Sequence, residues 1–508
     1  MSEGKFNKAH FNELVTGYFA VALFTAVSLW PIWSVRFPPM QDYPQHLSQV
    51  QILSEYSNPD YDYKDNFSVD LKPAPYATFY AITLFFSKFF SIESAGKVAI
   101  SLYVLLILFL VLKIMQHSKC NSFPWGILLL FPFAFNQQYF LGNLNYLLSL
   151  PILLLALMDQ KNIIKGEGWG REAFIQVLWM LALFFTHPFT FLVYMFLSLI
   201  NIILFFRNPN NFKKIFILSL SSALLFSFWF LTANPTEIST LSPEAKKFFW
   251  IPFNEILVYY LYIFTGMLWY DGPDRILIVL WISLASITVL SLLKHHNVDN
   301  DYHYEWLVFF AITTIAIFIL PFAKGVFTYI NLRLTAVSYF FLALVVGRIN
   351  FKGFPKVVFI LLLSAILFHS VVKQRSISKE IEEIKSILVK IPSKSSILPL
   401  VYDNNSVELD KRFFDPHLHN QDYYYVLVGG GLSPYIPDSP LLPVHFKPGK
   451  KPTAPSEYMP HMFKWELHGK YYDYFLIRGL TKGLLPYISK KAVLVERSGK
   501  WLLFKKKI

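Results

Sequence analysis

Cysteine and charge are both scarce in this chain of 508 residues. Cys120 is the sole cysteine, which excludes an intramolecular disulfide and a cysteine-based metal site. Charged residues make up 16% of the sequence, against about a quarter in a typical soluble globular protein. The apolar and aromatic fraction is 54%, so the composition is typical of a membrane protein.

The sequence also lacks the motifs of several enzyme classes. It has no phosphate-binding glycine loop, no G-x-S-x-G nucleophile motif, no zinc-protease helix and no internal repeat. The net charge is +13, and residues 373–508 hold +9 of it, with 22 Lys and Arg against 13 Asp and Glu. A basic tail in a membrane protein favours anionic lipid head groups over nucleic acid. We therefore expect membrane lipid, and no nucleic acid, among its partners.

Apolar blocks long enough to cross a bilayer recur along the chain. A helical span needs about 20 residues to cross a hydrocarbon core of about 30 Å. The first block lacks a small-residue cleavage site and predicts a retained helix rather than a signal peptide. The predicted spans are 14–35, 95–115, 123–140, 143–158, 173–187, 188–206, 214–232, 276–293, 305–322, 330–347 and 355–372. The expected fold class is an α-helical polytopic membrane protein with about 11 transmembrane helices.

The basic residues predict one orientation of these spans. With the N-terminus inside, alternate loops carry 14 Lys and Arg residues and the short opposite loops carry almost none. This orientation requires that residues 74–92 and 252–270 do not cross. We then expect a transmembrane domain over residues 1–372, with outer loops 36–94 and 233–275. Residues 373–508 would form a soluble extracytoplasmic domain, and the localisation would be the bacterial inner membrane.

The sequence pattern of the tail predicts a small α/β domain. Apolar residues at helical spacing predict a helix over 379–389. The glycine run 429–431 is not followed by a helix pattern and predicts a loop. Strands are predicted over 396–401, 423–428, 474–477, 492–496 and 501–504.

The most informative segment follows the first helix and reads Pro-Pro-Met-Gln-Asp-Tyr-Pro-Gln-His over residues 38–46. Asp42 precedes a predicted helix, so it is either an N-cap alone or also a functional carboxylate. His46 lies four residues later and is expected on the same helix face. These two residues are the predicted catalytic pair.

Two further ionisable residues have both a functional and a structural interpretation. His187, before Pro188, either lines a substrate cavity or bonds a carbonyl that the proline frees. Arg333 either clamps a phosphate with its planar fork or extends to the lipid interface. Both are predicted substrate-binding residues.

The remaining candidates lie near predicted helix ends. Lys72 and Tyr76 stand in Lys-Pro-Ala-Pro-Tyr, where the lysine either pairs with a lipid phosphate or snorkels to head groups. A polar turn that includes Gln138 and Asn143 either binds sugar hydroxyls or bonds helices together.

Two motifs carry weaker metal or ion-pair signals. Asp271 and Arg275 are interpreted as a turn with a surface ion pair. His417 and His419 have a His-x-His spacing, but clustered acidic neighbours are missing from the local sequence, so no metal ligand is assigned.

The order of these motifs resembles that of the C-type (GT-C) glycosyltransferases. Asp42 matches the acidic residue of that family's first outer loop, although a second adjacent acid is missing. Residues 72–76 look like its Lys-Pro-Pro-x-Tyr element with Ala74 inserted. The chain also resembles a set of bacterial membrane proteins that carry Asp-Tyr-Pro-x-His, a Gly-x-x-Asn-Tyr turn and a later His-Pro pair, matched here by residues 42–46, 142–146 and 187–188.

The resemblance implies an inverting membrane glycosyltransferase. Its donor would be a polyprenyl-phosphate-linked sugar, and the acceptor would be a lipid, a glycan or a protein. Asp42 would act as the base and His46 would orient it, while Arg333 and Lys72 would neutralise the leaving phosphate. No cofactor is implied with certainty, and a divalent cation remains open.

Two other functions are compatible with the sequence. A polysaccharide polymerase or ligase acting on lipid-diphosphate glycans also needs a basic outer pocket, but the loop 233–275 has no histidine. A non-enzymatic lipid or glycan transporter would be expected to show inverted repeats.

Overall fold

The computed structural model describes most of the chain and is dominated by helices. The described residues are 8–71, 75–117, 123–165, 170–204, 216–217, 220–225, 227, 247–266, 268–269, 271–294, 303–324, 328–347, 351, 353–409, 413–439, 441–479 and 483–507. Within them the α-helices are Lys8–Trp33, Tyr43–Ser54, Tyr63–Asn66, Thr78–Phe86, Ile92–His117, Gln137–Leu141, Leu144–Lys165, Gly170–Thr186, Pro188–Leu204, Phe253–Thr265, Gly272–Lys294, His303–Ile319, Ile330–Val346, Gly353–Leu388, Tyr423–Leu427, Trp465–His468 and Leu484–Ser489.

The strands form one four-stranded sheet and two short pairs. The sheet lies in the tail, with strands in the spatial order Ile397–Val401, Tyr474–Arg478, Trp501–Lys506 and Ala492–Ser498. Its first two strands are parallel and its other neighbours are antiparallel. The two pairs are Phe67–Val69 with Val444–Phe446, and Phe248–Phe249 with Ala323–Lys324.

Three described helices are long and apolar enough to cross a membrane by length and composition. They comprise Phe11–Trp33, Ile92–Gln116 and Gly353–Leu388. Shorter apolar helices occupy further predicted spans, at Leu144–Gln160, Ala173–Thr186, Pro188–Asn201, Glu305–Ile319 and Ile330–Val346. The predicted class, a helical membrane protein with a small C-terminal α/β region, is confirmed in these terms. The number of eleven spans stays a prediction, and most of the predicted span 214–232 lies outside the described residues.

One predicted span is not a continuous helix. Residues 123–140 form two 3-10 segments, Trp125–Leu130 and Pro132–Phe135, followed by the start of the short helix Gln137–Leu141. Pro132 lacks the N–H that would continue a helix from the preceding turn, which accounts for the break there. Hydropathy alone did not reveal this interruption.

The two stretches expected not to cross contain only short helices. Thr78–Phe86 has nine residues and Phe253–Thr265 has thirteen. At 1.5 Å per residue these helices are about 14 and 20 Å long, shorter than a hydrocarbon core of about 30 Å. That neither stretch crosses stays a prediction.

In the tail, four of the five predicted strands are present, and the glycine run is a loop. The exception is 423–428, where Tyr423–Leu427 forms a short helix. Tyr423, Tyr424 and Tyr425 are all buried, whereas a strand would turn alternate side chains to opposite faces. Burial of all three rings thus prevails over the strand preference of tyrosine. The predicted helix 379–389 joins the last span in one helix, Gly353–Leu388.

The described contacts divide the chain into two compact units. The helical unit comprises residues 1–30, 102–138 and 145–370, and the loop–tail unit comprises residues 31–101, 139–144 and 371–508. Within the loop–tail unit, the pairing of Phe67–Val69 with Val444–Phe446 joins the first predicted outer loop to the tail. A buried cluster completes this junction, formed by Ile52, Tyr63, Phe67, Tyr425, Ile436 and Val444.

Candidate functional site

Asp42 occupies the N-cap position of the helix Tyr43–Ser54, but its side chain makes no capping hydrogen bond. The backbone before the helix is held by the turn at residues 140–142, because Gln41 N–H donates to Phe140 O at 2.8 Å and Asp42 N–H to Leu141 O at 3.2 Å. Gly142 adopts a φ of +82°, and a Cβ there would lie 2.9 Å from Asp42 N. The Gly-x-x-Asn-Tyr turn therefore begins with a glycine because the start of the Asp42 helix passes against it.

The Asp42 carboxylate is paired with a histidine from the tail. Asp42 Oδ1 lies 3.0 Å from His419 Nδ1, and Glu457 Oε2 lies 3.2 Å from Nε2 of the same ring. Gln41 Nε2 also donates to Asp42 Oδ1, at 3.2 Å. His419 is almost fully buried, whereas 31% of the Asp42 side chain is exposed. The arrangement is an imidazole held between two carboxylates, one of which is open to solvent.

These residues line a cleft with a volume of about 690 Å³ in the loop–tail unit. Asp42, Gln45 and His419 form one part of its wall, and the Pro-rich segments 434–438 and 451–458 form the rest. The Gln45 amide donates to Tyr435 O at 2.8 Å, which ties the Asp42 helix to the Pro-rich segment. A cleft of this size accommodates a small-molecule substrate.

Electrostatics favour a charged His419 and a neutral Asp422. Burial lowers the pKa of His419, but Glu457 and Asp42 more than offset it and raise the pKa well above its usual range. Burial raises the pKa of Asp422 to about 7; the His419 charge opposes this and the Glu457 charge adds to it. The cluster therefore places one imidazolium between the Asp42 and Glu457 side chains, beside a further carboxyl that is largely protonated below neutral pH.

His46 has a different environment from the one expected. Its Nδ1 lies 2.6 Å from the Tyr80 hydroxyl, and its ring is surrounded by those of Tyr76, Phe79 and Tyr80. Burial lowers the pKa of His46 to about 4, against the opposing charge of Asp42. The structure thus gives Asp42 a direct contact to His419, and it makes His46 a neutral ring bonded to Tyr80.

The other predicted substrate-binding residues fall into both units. Tyr76, half-buried beside His46, and Asn143 lie in the loop–tail unit. Lys72 lies outside the described residues. Gln138 belongs to the helical unit and is buried.

His187 and Arg333 share a neighbour in the helical unit. The His187 ring meets that of Tyr146 edge to face, with centroids 5.2 Å apart, and the Tyr146 hydroxyl donates to the Arg333 carbonyl oxygen. His187 is buried and Arg333 is half-buried. The predicted roles of both residues in substrate binding remain predictions.

The two histidines of the His-x-His motif have separate partners. His417 Nε2 lies 3.2 Å from Glu380 Oε2, and Asn420 faces its Nδ1 at 3.2 Å. His419 belongs to the cleft. Sequence analysis found the motif but assigned it no role, and it missed Glu457 and Asp422 altogether. No local pattern signals these two, because their relation to Asp42 depends on contacts between residues hundreds of positions apart.

The chain was compared with known proteins and solved structures. No protein-family model matches the chain, and no curated protein matches it. The crystal structure of ArnT from Cupriavidus metallidurans in the apo state is similar, with 11% identity and a TM-score of 0.41. The likeness covers 97% of this chain and 98% of that chain.

Proposed function

We propose that this chain is a membrane glycosyltransferase that moves a sugar from a polyprenyl-phosphate donor to an acceptor hydroxyl on the extracytoplasmic face. The observation that carries the proposal is the Asp42 carboxylate, which is exposed at the cleft, paired with His419 and not used to cap its helix. A carboxylate held in place beside a substrate-sized cleft is suited to general base catalysis. The long apolar helices and the motif resemblance to C-type glycosyltransferases support the membrane setting and the reaction class.

In the proposed transfer, the acceptor oxygen attacks the anomeric carbon opposite the phosphate. The bond between that carbon and the phosphate oxygen breaks, the polyprenyl phosphate leaves, and Asp42 accepts the proton of the acceptor hydroxyl. His419 and Gln41 both contact Oδ1 of Asp42, so Oδ2 is available for the acceptor. The contact with His419 orients the Asp42 carboxylate, a role that the sequence had assigned to His46.

The cleft and the predicted cations supply the remaining parts of the proposal. Tyr435 and Tyr458 are aromatic residues of the cleft lining, and aromatic side chains offer flat apolar surfaces to sugar rings. Stabilisation of the leaving phosphate is the largest expected catalytic contribution in this reaction. Arg333 and Lys72 stay the predicted phosphate ligands.

Asp42→Asn tests the proposal. Asparagine has the size of aspartate, and the Asp42 side chain makes no capping hydrogen bond that could be lost, so folding should be retained while the base is lost. We expect turnover to fall by about 10²–10⁴-fold, the usual contribution of a general base. The measurement is transfer of radiolabelled sugar from polyprenyl-phosphate donors, by purified protein in liposomes supplied with envelope lipid and glycan acceptors.

Asp60→Asn is the matched control, because Asp60 is an exposed carboxylate in the same first loop. It should transfer sugar at the wild-type rate. Wild-type turnover by Asp42→Asn would show that Asp42 has only a structural role, and it would remove the basis of the proposal.

A further inference from the structure

A separate cluster of ionisable side chains lies within the helical unit. It consists of Asp271 and Asp274 at the start of the helix Gly272–Lys294 and His369 on the helix Gly353–Leu388. His369 Nε2 is 3.4 Å from Asp271 Oδ2 and 3.5 Å from Asp274 Oδ1. One ligand atom from each residue lies within 4.8 Å of the others, so three metal-binding groups converge at one point.

Backbone contacts orient both carboxylates toward the histidine. Asp274 Oδ2 accepts a hydrogen bond from Trp269 N–H at 2.7 Å, and Asp271 Oδ1 accepts one from Asp274 N–H at 3.0 Å. The other oxygen of each carboxylate, Asp271 Oδ2 and Asp274 Oδ1, faces His369. Outer hydrogen bonds of this kind fix ligand orientation in known metal sites.

The distances fit three ligand atoms around one metal ion. Separations of 3.4 and 3.5 Å exceed the range of about 2.7–3.2 Å for a good hydrogen bond. Around tetrahedral zinc, with ligand bonds of about 2.0–2.1 Å, neighbouring ligand atoms are about 3.3–3.4 Å apart. Around octahedral magnesium the corresponding separation is about 3.0 Å, and magnesium also prefers oxygen ligands to imidazole.

Burial and charge favour a cation at the same point. Asp274 is fully buried at this point, where an ion would meet two carboxylates and one imidazole. A neutral His369 with two carboxylates would balance a divalent ion. We propose that Asp271, Asp274 and His369 bind Zn²⁺, with a fourth position open to water, and that the ion ties the start of Gly272–Lys294 to Gly353–Leu388.

The test measures zinc binding by the full chain, purified without a histidine tag and stripped with chelator. Calorimetric titration with zinc chloride should give one site per chain, and Co²⁺ at that site should give the visible absorption of tetrahedral coordination. His369→Ala should weaken zinc binding at least tenfold and abolish the cobalt band. Asp271→Asn should also weaken binding, while its amide oxygen can still accept the Asp274 N–H bond and preserve the helix start.

His445→Ala is the matched control. His445 also faces a carboxylate, Asp438, at 3.0 Å, but the pair is not part of the three-residue cluster. This variant should bind zinc and cobalt as the wild type does. If wild-type protein binds no more zinc than His369→Ala, or if His445→Ala loses as much, the cluster is an ion pair only and the proposal fails.

Discussion

At the scale of single residues, Asp42 illustrates how far local sequence can predict a role. Its N-cap position followed from the residues around it and is confirmed. Its partner did not, because His419 lies hundreds of residues away and belongs to a motif that could equally have served a metal. Spacing within one helix suggested His46 instead, and the contact between His46 and Tyr80 also depends on the tertiary fold.

Asp422 yields a prediction for the dependence of stability on pH. Its pKa is raised from 3.8 to about 7 by burial, so the folded protein holds this proton more tightly than the unfolded chain. The stabilisation is complete below the ordinary pKa and is lost as pH rises through about 7, by at most roughly 4 kcal/mol at 1.36 kcal/mol per pKa unit. Asp422→Asn removes this titration, so its melting temperature should fall less than that of the wild type between pH 5 and 8.

Thermal unfolding of detergent-solubilised protein across that pH range is the measurement. Asp60→Asn, which removes an exposed carboxyl, should keep the wild-type pH dependence. An identical pH dependence in Asp422→Asn and wild type would mean that Asp422 is already ionised well below neutral pH.

At the scale of elements, prolines and glycines determine helix breaks and close backbone contacts that hydropathy does not predict. The span predicted over 123–140 is interrupted at Pro132, whereas the glycine at 142 marks a real close approach. Both residue types were visible in the sequence. Their consequences were not, since the cost of a proline or the need for a glycine depends on which backbone lies beside it.

Gly142→Ala should damage the site through the backbone. Alanine at a φ of +82° costs about 1–2 kcal/mol, and its Cβ would press on Asp42 N at 2.9 Å and shift the carboxylate. We expect sugar transfer to drop at least tenfold, measured in the same liposome assay. Gly449→Ala shares the positive φ, at +74°, but has nothing within 4 Å of the added Cβ.

The comparison of these two variants separates the effect of backbone strain at a positive φ from the effect of displacing the Asp42 carboxylate. Gly142→Ala should lose more stability, because its Cβ also presses on the backbone at Asp42, and Gly449→Ala should keep wild-type turnover. Equal turnover in the two variants would contradict a positioning role for the turn at Gly142.

At the scale of the whole molecule, the charge asymmetry of the loops predicts that the tail is extracytoplasmic. Ser456 is exposed and lies at the cleft, and Arg171 is exposed in a loop predicted to be cytoplasmic. In a background lacking Cys120, a cysteine at position 456 should react with an impermeant maleimide in intact spheroplasts. A cysteine at position 171 should react only after lysis, and the reverse pattern would overturn the orientation.

The composition predicted the membrane class, and strand-like runs, helical spacing and the glycine run predicted most of the tail. The grouping of residues 31–101 with residues 371–508 in one compact unit was not predictable in the same way. Local patterns in the sequence predict where elements begin and end. The pairing of Phe67 with Phe446 is a long-range contact that no local pattern predicts.

That pairing also sets the order in which the protein can mature. The strand Phe67–Val69 is synthesised before most of the helices, and its partner Val444–Phe446 follows them in the chain. The segment with Asp42 must therefore wait, without its cleft, while all the intervening helices are made and inserted. A ribosome that stops before residue 444 would release a chain with its helices and no complete site, so the cleft can assemble only after Val444–Phe446 has been synthesised.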